Sequence, residues 1–259
     1  MSYLGIDTAA KLNAVQAKTL RREGVSFACR YLVPESGNTA WKAISAAEAQ
    51  ILRDAGLAVL LCWETTANRP KSGATAGAAD GAEARKLAAA MGVPDGTVVY
   101  FAADYAVPQA DYDAVYQYLV AASKAIYPYS AGLYGPEGIV GAMNERAACE
   151  FFWQCVGGST KFLDCASVIQ YESQYGANAI AMASKIGVAV DLDSAETLDG
   201  MWKPPAPRTE EEDALAWAKG VHIIDDSMRD VSQTVLMLYR YFKTYEQEDT
   251  KNYSWAKPN

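Results

Sequence analysis

The chain of 259 residues carries 23 Lys and Arg against 31 Asp and Glu, a formal net charge of -8, with 51% hydrophobic and 21% charged residues. These are the proportions of a folded globular protein, long enough for one large α/β domain or for a domain of about 200 residues with a small appendage. Nothing supplies the basic stripe that a phosphate backbone demands, which excludes nucleic acid as a partner.

In chain order, short apolar runs that fit strands lie at 3–7, 27–32, 58–64, 97–104, 131–134, 151–156, 167–171 and 186–191. Ala-rich segments with apolar residues at three-to-four spacing predict helices over 10–23, 45–55, 76–91 and 110–126. Ser45-Ala-Ala-Glu48 matches a capping box, and Gly24, Gly56 and Gly92 close helices just before the next strand. The repeated β-then-α order predicts a (β/α)8-type TIM barrel, with an open doubly wound sheet as the alternative. Residues 156–167 and 171–186 leave little room for full crossover helices, so the second half of the barrel is expected to be irregular.

The barrel is assigned to residues 1–200. Residues 201–212, through Lys203-Pro-Pro-Ala-Pro-Arg208 and an acidic run, read as a linker. Residues 213–259 are helical in character and too short for a core of any size, so they are expected to serve targeting or assembly, oligomerisation included.

Five cysteines without a C-x-x-C spacing point to reduced thiols rather than a disulfide framework or a zinc ribbon. The only histidine is His222, beyond the Pro-rich stretch. Zinc hydrolases need two or three imidazoles, and Ser or Cys nucleophiles need one as base, so a zinc amidase or cysteine peptidase lacks its parts. No metal or other cofactor is called for, and carboxylates remain as the available chemistry.

Four apolar blocks stop at an acid: Leu4-Gly-Ile-Asp7, Leu60-Leu-Cys-Trp-Glu64, Val98-Val-Tyr-Phe-Ala-Ala-Asp104 and Gly187-Val-Ala-Val-Asp191. A buried strand ending in a carboxylate delivers it to the rim of the sheet, where parallel α/β folds keep their active sites. Cleavage of a glycosidic bond uses such a pair, one carboxyl protonating the leaving oxygen and one carboxylate facing the oxocarbenium-like transition state. The plainer reading is that strand-end acids cap helices or pair with a buried arginine such as Arg30. Tyr31, Trp63, Tyr134, Trp153, Gln154 and Gln170 flank the same ends, a blend of flat rings and amides suited to sugar faces and hydroxyl edges. Along Phe151-Phe-Trp-Gln154 alternate side chains point to opposite faces, and Trp153 is the ring favoured for the ligand.

Together Gly5-Ile-Asp7, Cys29-Arg-Tyr31, Trp63-Glu64, Tyr100-Phe-Ala-Ala-Asp104, Gly132-Leu-Tyr-Gly135, Trp153-Gln154, Ile169-Gln-Tyr171 and Val190-Asp191 resemble the glycoside-hydrolase-like domain family, first catalogued as a domain of unknown function and distantly related to family-25 lysozymes. The resemblance implies a barrel with a cleft at the strand ends and, in lysozyme relatives, cleavage of peptidoglycan. It implies Glu64, Asp104 and Asp7 as catalytic carboxyls and Asp191, Arg30, Tyr31, Trp63, Tyr134, Trp153, Gln154 and Gln170 as substrate-binding residues. Family-25 lysozymes carry Asp-x-Glu after the fourth strand, whereas Asp104-Tyr-Ala106 lacks the Glu. The general acid is therefore expected at Glu64, with Asp104 as stabiliser.

The expected function is that of a peptidoglycan glycosidase of the phage endolysin type acting on bacterial cell-wall glycan; the alternative is an inert carbohydrate-binding barrel. The first residues lack a basic start and a long apolar core, and no run reaches the length of a membrane span. A cytoplasmic product made without a signal peptide, reaching the wall after release or lysis, is the corresponding expectation. Residues 217–224 and 238–241 loosely resemble a surface-layer-homology motif.

Overall fold

Period-two alternation in the apolar runs builds eight strands that close into a barrel in chain order. A computed structural model describes residues 2–205, 210–220, 235–240 and 243. The strands are β1 (Tyr3–Asp7), β2 (Val25–Tyr31), β3 (Ala58–Trp63), β4 (Val98–Ala102), β5 (Ser130–Gly135), β6 (Phe151–Cys155), β7 (Ala166–Glu172) and β8 (Asp191–Ala195). Helices α1 (Ala14–Arg22), α2 (Ala46–Asp54), α3 (Gly73–Met91) and α4 (Tyr112–Ile126) follow the first four strands, α5 (Glu137–Glu145) follows β5, and α6 (Ala177–Ile186) follows β7. Among the described residues no helix joins β6 to β7, and ten-residue α6 is all that joins β7 to β8. The expected irregularity of the second half is located there.

Local chemistry explains the helix ends. Asn13 caps α1 by accepting from the Val15 and Gln16 amides, and the Gln16 side chain returns to the Asn13 amide, so a complete capping box sits where the sequence pattern had not marked one. At α2 the predicted box is half made: Ser45 accepts from the Glu48 amide, but the Glu48 carboxylate turns to the Leu12 amide and to Arg30. Gly92 ends α3 at φ 73°, a conformation that disfavours any side chain.

Seven strands fall close to the predicted runs, and the eighth does not. The run 186–191 was expected to be the strand, yet Ile186 ends α6, Gly187 turns the chain at φ 77°, and β8 starts at Asp191. β8 pairs antiparallel with both β1 and β7, whereas all other neighbours are parallel. Asp191 is thus the first residue of a descending strand rather than the last of an ascending one. It still reaches the rim, because its register partner is Asp7 at the end of β1.

Alternation sorts the core into two layers. Phe27, Cys29, Leu60, Val98, Tyr100 and Trp153 point into the barrel, while Ala28, Leu61, Val99, Phe101 and Leu133 point out under the helices. The floor is sealed by the chain after β8: the Val98 amide donates to the Gly200 carbonyl at 2.7 Å, Val59 and Trp202 exchange backbone bonds at 2.9 Å, and Met201 packs inside. Met201 and Trp202, assigned by composition to the linker, therefore belong to the barrel floor, with the Arg53 guanidinium 4.5 Å from the centre of the Trp202 ring.

The chain divides into two compact units, Met1–Pro205 and Ala206–Asn259. In the second, α7 (Glu210–Gly220) and helical residues 235–240 bury Ala214, Ala218, Val235 and Leu236, with the Trp217 and Tyr239 rings 6.0 Å apart. His222 and residues 206–209 of the expected linker lie outside the described residues, as do parts of the helical segment assigned to 213–259. Among the described residues no helix is long and apolar enough to cross a membrane.

Candidate functional site

Because inward-facing residues recur every second position, the upper rungs of the strands converge on one mouth. Asp7 (β1), Tyr31 (β2), Cys62 and Glu64 (end of β3), Ala102 and Asp104 (end of β4), Tyr134 (β5), Trp153 (β6), Gln170 (β7) and Asp191 (β8) surround a cavity of about 60 Å³ at the bottom of the cleft. The cleft widens on both sides. One arm of about 490 Å³ runs past Asp7, Tyr31, Trp41, Gln174 and Asp191, and the other, about 460 Å³, runs past Tyr105, Ala106, Pro136 and Cys155. Asp104 lines all three spaces.

The carboxyls are wired together rather than merely adjacent. Gln170 Nε2 donates to Asp7 Oδ2 at 2.8 Å and to Asp191 Oδ2 at 3.1 Å, and its Oε1 accepts from the Tyr134 hydroxyl at 3.1 Å, which fixes the amide's orientation. Asp191 also accepts from the Gln174 amide. One rung below, Asp193 is fully buried and accepts from Trp153 Nε1 at 2.9 Å.

Burial, reinforced by the charge of Asp191, pushes Asp7 up to about 7. Asp104 is raised by burial and then by Glu64 and Asp191, with Lys42 opposing. Burial also raises Asp191, partly offset by the Gln174 amide. Asp193 is driven well above the ordinary carboxyl range by burial and by Asp7. Burial, with the neighbouring charges of Cys62, Asp7 and Glu64, raises the Tyr31 hydroxyl as well.

Glu64 reaches the cleft with a partner already in place. Lys42 Nζ lies 2.7 Å from its Oε2 and 4.3 Å from the centre of the Tyr31 ring. A general acid presents its carboxyl to the leaving oxygen, whereas Glu64 gives Oε2 to Lys42. The role of acid expected for Glu64 conflicts with this pairing.

Three expected ligand contacts point away from the cleft. Arg30 is fully buried on the outward face of β2, 2.7 Å from Glu48 and bonded to the Thr8 and Lys42 carbonyls, so it fastens the wall to α2. Trp63 packs outward, 6.4 Å from Phe101. Gln154, outward on β6, is consumed by Ser159, the Lys161 carbonyl and the Leu163 amide, which shape the loop to β7. All three occupy the opposite parity from their cleft-lining neighbours Tyr31, Cys62 and Trp153.

Four site residues escaped the sequence pattern. Trp41, 63% exposed, stands on the outer arm of the cleft, and Lys42 beside it anchors Glu64. Both lie in a loop without periodicity. Gln174 follows β7 in another loop, whereas Asp193 is two residues past Asp191 and was readable from strand alternation once β8 starts at Asp191.

Residues 18–224 match the model of the Rv2525c-like, glycoside hydrolase-like domain family. The chain belongs to that family. Among solved structures it is similar to the Mycobacterium tuberculosis Tat-secreted protein Rv2525c, at 22% identity over 78% of this chain and 98% of that one, with a TM-score of 0.64. It is also similar to an uncharacterized Bacillus stearothermophilus protein, at 19% identity over 77% of this chain and 100% of that one, TM-score 0.54. A glycosyl hydrolase 25 of Streptococcus pneumoniae follows at 13% identity over 76% and 88% of the two chains, with a TM-score of 0.48 that carries no weight for chemistry. No curated protein matches the chain.

At these identities the structural likenesses speak for the barrel fold. One expectation is overturned: Rv2525c is Tat-secreted, which contradicts a leaderless cytoplasmic product that meets the wall only after lysis. Rv2525c and the Bacillus stearothermophilus protein are bacterial and lend no support to a phage endolysin. The family match, which ends at residue 224, gives the surface-layer-homology resemblance no support either.

Proposed function

We propose that the cleft binds a cell-wall glycan and hydrolyses its glycosidic bonds, with peptidoglycan as the substrate class. The observation that carries this reading is the pair Asp7 and Asp104, facing one open groove and differing in environment. Asp7, buried at the bottom of the groove and pushed up to about 7, is poised to hold a proton for the leaving glycosidic oxygen. Asp104, less buried and drawn back toward ionisation by Lys42, offers a carboxylate to the oxocarbenium-like centre that a water then attacks. The Glu64–Lys42 pair acts as a brace that holds the wall beside Tyr31.

Trp41 supplies an exposed flat ring on one arm of the groove, where the apolar face of a sugar stacks, and Gln174 supplies an amide beside it. Peptidoglycan as the substrate follows from the resemblance to family-25 lysozymes. Release of new reducing ends from purified peptidoglycan tests the reading: Asp7→Asn and Asp104→Asn each lower the rate by at least about 100-fold if these carboxyls do the chemistry. Full release by both variants, or none by the wild type, overturns it.

A second reading is favoured by Ala106, which lines the groove wall beside Asp104 where family-25 lysozymes carry their Glu. A barrel that binds glycan without cutting it gives saturable binding of glycan fragments and no reducing ends on long incubation.

A further inference from the structure

The floor of the cleft holds a carboxyl that a two-carboxyl hydrolysis does not require. Asp193 faces inward on β8, flanked in register by Gly5 on β1 and Gln170 on β7, and is fully buried. Its Oδ1 accepts from Trp153 Nε1 at 2.9 Å, while its Oδ2 is buried with no donor of its own. Across the β1–β8 seam Gly5 opposes Asp193 and Asp191 opposes Asp7, which sets Asp193 and Asp7 on the inward diagonal of two adjacent strands. Two carboxyl groups buried so near each other do not both ionise, and the one that keeps its proton can donate through an oxygen that has no other partner.

We infer that Asp193 is a positioning residue that keeps its proton and donates it through Oδ2 to Asp7, so that charge left on Asp7 after proton transfer falls on donors already in place. This rests on Asp7 as the proton donor of the proposed hydrolysis. In that step the proton leaves Asp7 for the glycosidic oxygen, the C–O electron pair departs with the leaving group, and Asp7 becomes a carboxylate. Gln170 Nε2 on one side and Asp193 O–H on the other then hold it, the arrangement by which preorganised dipoles stabilise developing charge.

The surroundings favour the neutral form of Asp193. Asp7 and Asp191 line the same inward face on β1 and β8, with Cys29 on β2 and Tyr134 on β5. Asp104 and Tyr31 face Asp7 in turn. None of these groups is a cation, so a second buried negative charge beside Asp7 has nothing to offset it.

Asparagine at 193 copies the protonated acid: its amide N–H points at Asp7 and its oxygen still accepts from Trp153, with no proton to lose. The Asp7 carboxyl is followed by carbon-13 NMR titration in the unliganded wild type, Asp193→Asn and Asp193→Leu, and the pH profile of kcat is measured alongside. In Asp193→Asn, Asp7 is expected to titrate within about half a unit of wild type, with kcat within about threefold and the alkaline limb unmoved. Asp193→Leu removes the donor and is expected to raise the Asp7 titration by about a unit while lowering kcat about tenfold or more. A fall of about a unit or more in Asp193→Asn, the mark of a removed negative charge, overturns the inference, as does failure of that isosteric variant to fold. Because the titration needs no substrate, a wild type that releases no reducing ends yet titrates as expected sinks the hydrolase and leaves the proton on Asp193.

Discussion

The mouth and the floor of this barrel are built from the same inward rungs of the same strands and are chemical opposites. At the floor Phe27, Ala58, Val98, Val168 and Ala195 close over Met201 with no charge among them. About six to seven ångströms up β7 and β8, two residues' rise, the rung becomes Gln170 opposite Asp193, and the next brings Asp191 opposite Asp7. The apolar half supplies the burial energy, and the acidic half consumes part of it to keep carboxyls out of water. Parity sets which residues meet, and height along the strand sets what they do.

That division is open to direct tests. Phe27→Ala, at the floor, is expected to lower unfolding free energy by about 3–5 kcal/mol in denaturant titration while leaving the Asp7 titration in place. A large shift in Asp7 would show that floor and mouth are not separable. At the mouth stability depends on pH. Asp7 rises from 3.8 to about 7, so between those values the folded state binds more protons than the unfolded one and stability falls as pH rises. The loss approaches about 4 kcal/mol by pH 8, at about 1.4 kcal/mol per unit, and Asp7→Asn is expected to flatten the slope in unfolding curves collected from pH 4 to 8. An unchanged slope in that variant would place the burden elsewhere.

Smaller effects sharpen the boundary. Lys42→Met leaves Glu64 without its cation and is expected to cost about 1–3 kcal/mol, and it should raise the titration of Asp104, which Lys42 now holds down. Trp41→Ala should leave stability within about 0.5 kcal/mol and weaken glycan binding about 2- to 10-fold by calorimetry. Undiminished binding would remove the exposed ring from the proposed sugar platform.

Much of this was legible before any coordinates. Alternating β and α signals are local, and the residues that stop helices, Gly24, Gly56 and Gly92, take positive φ as those signals require. The barrel and three of its rim acids follow from strands that ascend and end at the mouth. β8 was misplaced because 187–190 is apolar and short, which periodicity alone does not separate from a strand. What distinguishes it is the antiparallel pairing on both sides, a tertiary fact. Among the ligand contacts, parity applied to Phe151–Gln154 singled out Trp153, which does line the cleft. The same parity carried along β2 and β3 would have turned Arg30 and Trp63 outward. Lys42 left no such trace, since a loop cation declares its partner only when the loop is folded against β3.

The descending course of β8 has a consequence for how the barrel finds one alignment. In an antiparallel seam, residues face each other directly, Asp191 opposite Asp7 and Asp193 opposite Gly5. A slip by one residue would send both carboxyls out into the apolar shell and draw Leu192 inward, leaving the Trp153 N–H without its acceptor and the Gln170 amide with Asp7 alone. The two acids of the closing strand, each raised by burial, are therefore also a lock, admitting that strand in a single register and rejecting its neighbours.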